Sequence, residues 1–205
     1  VAVPSQIALP LTLPGSGKPS RVVIGNANQA AYEALAKPAA WPFNSAVLTG
    51  PPRSGKSLLG QWAAGQGIAV IDDAESWEEA ELFHRWNRAQ ASDEPLLLIS
   101  NKQPWEITLP DLRSRLSGSL QLEIGVPDDD MVARLIEAIA QQRGLALTDG
   151  ALEYLVPRAE RSFADIERLV AAIDRLSLER KSPATMSLWR DALEAVQGAE
   201  QARLL

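Results

Sequence analysis

No cysteine occurs anywhere in these 205 residues, so neither disulfides nor thiolate–metal sites are available. Histidine is almost as scarce: His84 stands alone, which excludes a His-rich metal centre. No apolar run approaches the ~20 residues needed to span a bilayer. The N-terminus lacks the charged segment and apolar core of a secretory signal, so a cytoplasmic protein is the expectation. Positive charge is also short. With 20 Lys+Arg against 26 Asp+Glu the formal net charge is −6, which argues against a broad electrostatic footprint for nucleic acid. What remains is an ordinary globular composition, 46% hydrophobic and 22% charged, long enough to bury a core as one large domain or two small ones.

The most informative stretch is Gly50-Pro51-Pro52-Arg53-Ser54-Gly55-Lys56-Ser57, which matches the P-loop pattern G-x-x-x-x-G-K-[ST]. An apolar run, Ala46-Val47-Leu48, precedes it and Leu58-Leu59 follows, as strand, loop and helix require. The glycines let the backbone wrap phosphates so that N–H groups converge at a helix N-terminus. Lys56 supplies a point charge to the β/γ-phosphates, and Ser57 offers a hydroxyl to Mg²⁺. Further on, Ile68-Ala69-Val70-Ile71-Asp72-Asp73 is an apolar run closing on two carboxylates, a Walker B pattern. Asp72 would hold Mg²⁺ and Asp73 would orient an attacking water. Fifteen residues (57–71) separate Lys56 from Asp72, room for one helix and no extra strand. A small parallel sheet is expected.

Before the P-loop, residues 1–20 hold Pro4, Pro10, Pro14 and Pro19 and read as an extended tail. Within the tail, Gln6, Ile7, Leu9, Pro10 and Leu11 form a short apolar plug. Composition fits two readings equally, a groove-docking peptide and packing against the chain's own body. Residues 21–24 read as extended and 26–36 as a helix capped by Asn26 or Asn28. Val22, Val23 and Ile24 are candidates both for a base pocket and for ordinary core. Gly65 and Gly67 are expected to end the helix after the P-loop. Ser76 and Glu79 match a capping box opening a helix with Leu82, Phe83 and Trp86 on one face; His84 falls off that face and reads as a surface residue.

Pro95–Ser100 reads as a second buried strand, ending at Asn101, which can reach a γ-phosphate or serve a turn. In Leu109–Leu116, Arg113 and Arg115 lie two positions apart and so point to different sides of a helix. One suits an internal ion pair, and the other, projecting, suits an arginine finger for a neighbouring subunit; a homodimer is one such arrangement. Leu120–Ile124 reads as the last strand. Beyond Pro127 the apolar stripes are helical, with Ser162 and Asp165 resembling another capping box.

In order along the chain, QIALPL, VVIGNANQAAYEAL, GPPRSGKS, IDDAE, LFHRWN, LPDLRSRL and the four-helix C-terminal part resemble the DnaA-related AAA+ family. Within it the likeness is nearest to Hda/HdaA-type regulators of replication initiation, and it covers nearly the whole chain. The resemblance implies an α/β AAA+ module with a small parallel sheet at 21–126, followed by an all-α lid at 127–205. It implies that Gln6 to Leu11 docks on the DNA polymerase sliding clamp. Asn101 takes the sensor I position and Arg115, not Arg113, the box VII arginine finger. The implied function is hydrolysis of initiator (DnaA)-bound ATP, stimulated through Arg115, with DnaA and the clamp as partners and no initiator-type DNA-binding domain.

Two departures stand out. The family's sensor II arginine falls at Ala164, with Arg161 and Arg168 about one turn either side as substitutes. A strand and a helix are also missing between the Walker motifs. Binding of the chain's own nucleotide, ADP or ATP with Mg²⁺, is therefore expected to be weak, ADP-selective or absent. The rival readings are a small-molecule or nucleotide kinase on the same P-loop, an adaptor that leaves the P-loop unused, and a helicase loader.

Overall fold

The computed structural model describes residues 22–201, with side chains over 22–198. These residues fold as two compact units, 26–125 and 22–25 with 126–201. Residues 22–25 thus join the second unit rather than the base.

The first unit is built on four parallel strands: β1 (Ser45–Thr49), β2 (Ala69–Ile71), β3 (Leu96–Ile99) and β4 (Leu120–Glu123), in the order β2-β3-β1-β4. Register pairs Val47 with Leu98, Leu48 with Leu122, and Val70 with Leu97. β3 is central and fully buried, as its unbroken apolar run requires. β2 is an edge strand, and its Ala69 and Val70 are only half-buried, short of the full burial expected of the Walker B run.

Alternation sends the two faces of each strand to different helices. Val47, Ile71, Leu96 and Leu98 share a core with Leu82, Trp86 and Ala89 of α3 (Glu79–Ser92) and with Leu112 and Leu116 of α4 (Pro110–Gly118). On the opposite face, α2 (Lys56–Gly65) packs so closely that a Cβ on Gly60 would lie 2.5 Å from Ile99 Cδ1. α1 (Gln29–Leu35) joins that side through Tyr32, whose ring stacks on Trp62 at 4.7 Å. Because the strands are parallel, the loops after β1, β2 and β3 all leave from one edge of the sheet, where ligands of open α/β sheets bind.

Several expected helix ends are corrected. α1 begins at Gln29, and Asn28 at its N-cap makes no side-chain capping bond. The end of α2 is as expected: Gly65 is its last residue, and Gly67, φ +86°, is the left-handed residue beyond it. Ser76 closes a 3₁₀ turn and donates to the Asp73 carbonyl at 2.7 Å, so the Ser76/Glu79 capping box does not form. Glu79 reaches across the fold instead. Its carboxylate accepts from Thr108 N–H, Thr108 Oγ1 and Leu109 N–H at 2.6–3.1 Å, fixing the approach to α4. Those bonds lower its carboxyl pKa below the ordinary 4.5.

The second unit is helical: α5 (Asp129–Gln142), α6 (Ala151–Leu155), α7 (Phe163–Arg180) and α8 (Met186–Gln201). Asp128 caps α5 by accepting from Met131 N–H at 2.9 Å. Val132, Ile136, Leu155, Ile166, Leu169, Ile173, Leu188 and Trp189 form its core. Ser162 sits at the N-cap of α7 without a side-chain bond, and Asp165 pairs with Arg168 rather than closing a capping box. Residues 22–25 lie on α5: a Cβ on Gly25 would meet Met131 at 2.9 Å, and Arg134 donates to the Ile24 carbonyl at 3.1 Å. Among the described residues no helix is long and apolar enough to cross a membrane.

Candidate nucleotide site

The loop after β1 is shaped by what lies under it. A Cβ on Gly50 would sit 2.8 Å from Ile124 Cβ, so only glycine lets the chain cross the end of β4 this closely. Arg53 (φ +64°) and Gly55 (φ +87°) then take left-handed conformations that turn the backbone into the first turn of α2. Pro51 and Pro52 stiffen the rise of the loop. Ser54 is buried, and among the described residues its Oγ has no hydrogen-bond partner. Such an orphan hydroxyl under a glycine-shaped cradle suits a loop made to close round a polar ligand.

Lys56, at the start of α2, is 4% exposed and donates to the carbonyls of Gly50 and Pro51 at 2.8 and 2.9 Å. Burial pushes its ammonium below the ordinary 10.5, and the charges of Glu75, Asp72 and Asp73 pull it partly back. Ser57, next along the helix, is exposed.

The loops after β2 and β3 meet beside this lysine. Asn101, leaving β3, donates from Nδ2 to Asp73 Oδ1 at 2.6 Å, and its backbone N–H donates to Glu75 Oε1 at 3.1 Å. Asp73 adopts a left-handed φ of +50° and donates its N–H to Asp72 Oδ1 at 3.0 Å. Asp72 and Asp73 are both exposed. Glu75 was not a sequence candidate, yet it is the foremost electrostatic partner of Lys56. Burial pushes the Glu75 carboxyl up, but its own N–H, the backbone and side chain of Asn101 and the Ser100 hydroxyl outweigh burial and hold it below 4.5. Among the described residues its Oε2 is buried with no hydrogen-bond partner. The signal available in the sequence was a third acid two positions beyond Asp73, at the end of IDDAE.

These groups fit a nucleotide with its metal. The cradle, Lys56 and the orphan Ser54 hydroxyl suit phosphates, and Ser57 with Asp72 supplies a hydroxyl and a carboxylate for Mg²⁺, which usually takes few protein ligands besides phosphate and water. Among the described residues no cluster of three acidic or histidine side chains could hold a metal by itself.

Other candidates lie elsewhere. Arg115, on α4, makes its contacts with α3, not with this cluster: its guanidinium lies over the rings of Phe83 and Trp86. Arg113 turns back and donates from Nε to the Ile107 carbonyl at 2.7 Å. That is a structural bond to a carbonyl, where an ion pair was one expectation. Val23, Ile24 and Arg161 belong to the helical unit. Arg161 pairs with Asp129 at 2.7 Å, and both arginines flanking Ala164 are thus ion-paired within the lid. Gln6, Ile7, Leu9, Pro10 and Leu11 lie outside the described residues.

Comparison with known proteins bears on both units. The family model for the Hda lid domain matches residues 128–193. An uncharacterized protein of Haemophilus influenzae is 31% identical over 130 residues, covering 59% of this chain and 56% of its own. The chromosomal replication initiator protein DnaA of Lactiplantibacillus plantarum is 29% identical over 136 residues, 63% of this chain and 30% of its own. The chain therefore spans about half of the first relative and under a third of the second. Among solved structures, domain III of Thermotoga maritima DnaA superposes with a TM-score of 0.71 at 15% identity, covering 84% of this chain and 93% of that one. AMPPCP-bound DnaA from Aquifex aeolicus superposes at 0.57 and 20% identity, covering 77% and 66%. At these identities the structures establish the fold, a small parallel α/β AAA+ base with a helical lid.

Proposed function

The chain is a DnaA-related AAA+ protein of the Hda type, and from that premise we propose that it is a cytoplasmic negative regulator of chromosomal replication initiation. In this reading Gln6, Ile7, Leu9, Pro10 and Leu11 dock on the DNA polymerase sliding clamp. Arg115 is then presented to ATP held by the initiator DnaA, and its charge stabilises the phosphoryl-transfer transition state on that partner.

The observation that carries the reading is the state of Arg115. Its guanidinium faces two aromatic rings and, among the described residues, no carboxylate. Among the described residues nothing neutralises its charge, and an arginine finger needs that charge for a phosphate from elsewhere. Arg113, bound to the Ile107 carbonyl, serves the fold instead.

The P-loop holds and senses a nucleotide, ADP or ATP. Gly50 to Ser57 cradle the phosphates, while Mg²⁺, held by Ser57 and Asp72, neutralises phosphate charge when bound. Asn101 donates to Asp73, and Asp73 directs a water. With Ala164 where the family has an arginine, and with Arg161 engaged by Asp129, the lid brings little to turnover of this nucleotide.

The test is hydrolysis of DnaA-bound ATP in the presence of DNA-loaded clamp. Arg115→Ala should abolish stimulation while leaving clamp affinity intact. Leu9→Ala or Leu11→Ala should weaken clamp binding before folding is touched. Full stimulation by Arg115→Ala overturns the reading.

A further inference from the structure

One indole holds Arg115 at both ends of the residue. The guanidinium carbon lies 4.5 Å from the centre of the Trp86 ring and 4.8 Å from that of Phe83. The two rings are three residues apart on α3, hence on one face, and together form a shelf. The same Trp86 donates its Nε1–H to Ser45 Oγ at 3.3 Å. Ser45 Oγ and Ser119 Oγ lie 2.7 Å apart, and Ser119 Oγ donates to the Arg115 carbonyl at 3.1 Å.

The two ends of this chain have a fixed direction. An indole N–H only donates, and each hydroxyl has a single proton. Trp86 therefore gives to Ser45 and Ser119 gives to the Arg115 carbonyl, while the single Ser45 proton faces Ser119 Oγ at 2.7 Å and, at 3.4 Å, the Pro42 carbonyl. Ser45 is fully buried and Ser119 is 5% exposed, so loss of the Ser119 hydroxyl would leave Ser45 only the longer bond to the Pro42 carbonyl as a donor.

Resting on the reading of Arg115 as the finger, we propose that Trp86 and Phe83 are positioning residues for it. The rings fix the guanidinium, and the two buried serines fix the main chain that carries it. Aromatic faces suit this task better than a carboxylate. They attract the cation without neutralising it and leave its N–H donors for an incoming polyphosphate from another chain. Preorganisation of this kind acts on the maximal rate more than on binding. LFHRWN thereby acquires a second role: its core stripe is also the seat of the finger.

The experiment uses the full chain on DNA-loaded clamp, with ATP-bound initiator varied to saturation. Its variants are Phe83→Leu, Ser119→Ala and Arg115→Ala. Phe83 is only half-buried, so leucine keeps the helix and its apolar contact. Phe83→Leu is expected to lower the maximal stimulated rate about tenfold, with the half-saturating initiator concentration changed less than about twofold. Ser119→Ala is expected to lower it in the same sense.

A second readout is independent of activity. Ring currents should shift the Arg115 Nε–H proton resonance upfield in the wild type, and Phe83→Leu should return it towards its free position. If Arg115→Ala is inactive while Phe83→Leu keeps the wild-type maximal rate, the positioning proposal is overturned and the finger reading stands. An unmoved resonance in Phe83→Leu overturns the shelf, and a wild-type rate in Ser119→Ala overturns the serine relay. Full activity in Arg115→Ala removes the finger reading and the proposal with it.

Discussion

Gly60 and Gly65 lie in the same helix, and alanine should have opposite effects at the two positions. Both are helical, so alanine gains helix propensity of ~1 kcal/mol at an interior position and less at a terminal one. At Gly65 the added Cβ meets nothing within 4 Å, and the residue is exposed. Only the propensity gain remains, about 0.5 kcal/mol near the helix end. At Gly60 the same atom would lie 2.5 Å from Ile99 Cδ1 and 3.2 Å from Val70 Cγ1. Ile99 has no exposed surface and sits in the central strand, so its methyl cannot swing into solvent. Relief requires α2 to lift from the sheet, an overpacking cost of ~1–3 kcal/mol. The cost at least cancels the gain. Gly60→Ala is expected to be less stable by up to about 2 kcal/mol, a fall in Tm of up to roughly 8 °C for a chain of this size, whereas Gly65→Ala rises by about 1–2 °C.

Thermal unfolding followed by circular dichroism measures both changes. Because α2 begins at Lys56 and Ser57, lifting it also moves the P-loop, so Gly60→Ala should weaken nucleotide binding while Gly65→Ala leaves it unchanged. A Gly60→Ala protein as stable as Gly65→Ala would refute the packing argument.

Two further outcomes follow from the loops that meet α3 and β3. Folding lowers the Glu79 carboxyl pKa, so its stabilisation is complete above the unfolded value near 4.5 and fades as pH falls through the lower folded value. Glu79→Gln should therefore cost about 1 kcal/mol at pH 7, after allowance for solvent screening. Urea unfolding across pH 3–7 should show that gap close on acidification; a gap that widens is the wrong sign. At Asn101, aspartate would place a second carboxylate against Asp73 and beside Glu75. Asn101→Asp is then expected to lower Mg-nucleotide affinity more than Asn101→Ala does, by about tenfold or more, and calorimetric titration giving equal affinities would remove the electrostatic account.

Elements whose cause is local are legible in the sequence. The P-loop between β1 and α2, the unbroken apolar run of β3 and the stripes of the lid helices each carry their period and punctuation within a few residues. Interactions made far along the chain were not. Ser76 and Glu79 have capping-box spacing, yet Glu79 bonds to residues 108 and 109, and no local pattern announces a partner 29 positions away. Residues 22–25 read as part of the base because they precede it, whereas Gly25 closes on Met131, over 100 positions later. Phe83 and Trp86 were legible as an apolar face, and nothing in their spacing indicates that an arginine from α4 lies on them. Glu75 was visible as a residue but not as a partner, because the role depends on where the backbone of Asn101 lands.

β2 pairs only with β3, through three residues, and its outer edge is uncovered by any other strand among the described residues. Few backbone bonds and partial burial mean that such a strand opens locally at low cost, well before the sheet as a whole. The carboxylates Asp72 and Asp73 are thus carried on the part of the sheet that breathes most easily. The two Asn101 bonds, to Asp73 and Glu75, are the clasp that holds it closed from the central strand. Amide hydrogen exchange should report this directly, with the amides of β2 exchanging faster than those of β1 and β3. Loss of the Asn101 side chain should speed exchange in β2 selectively, and a nucleotide that engages Asp72 and Asp73 should slow it.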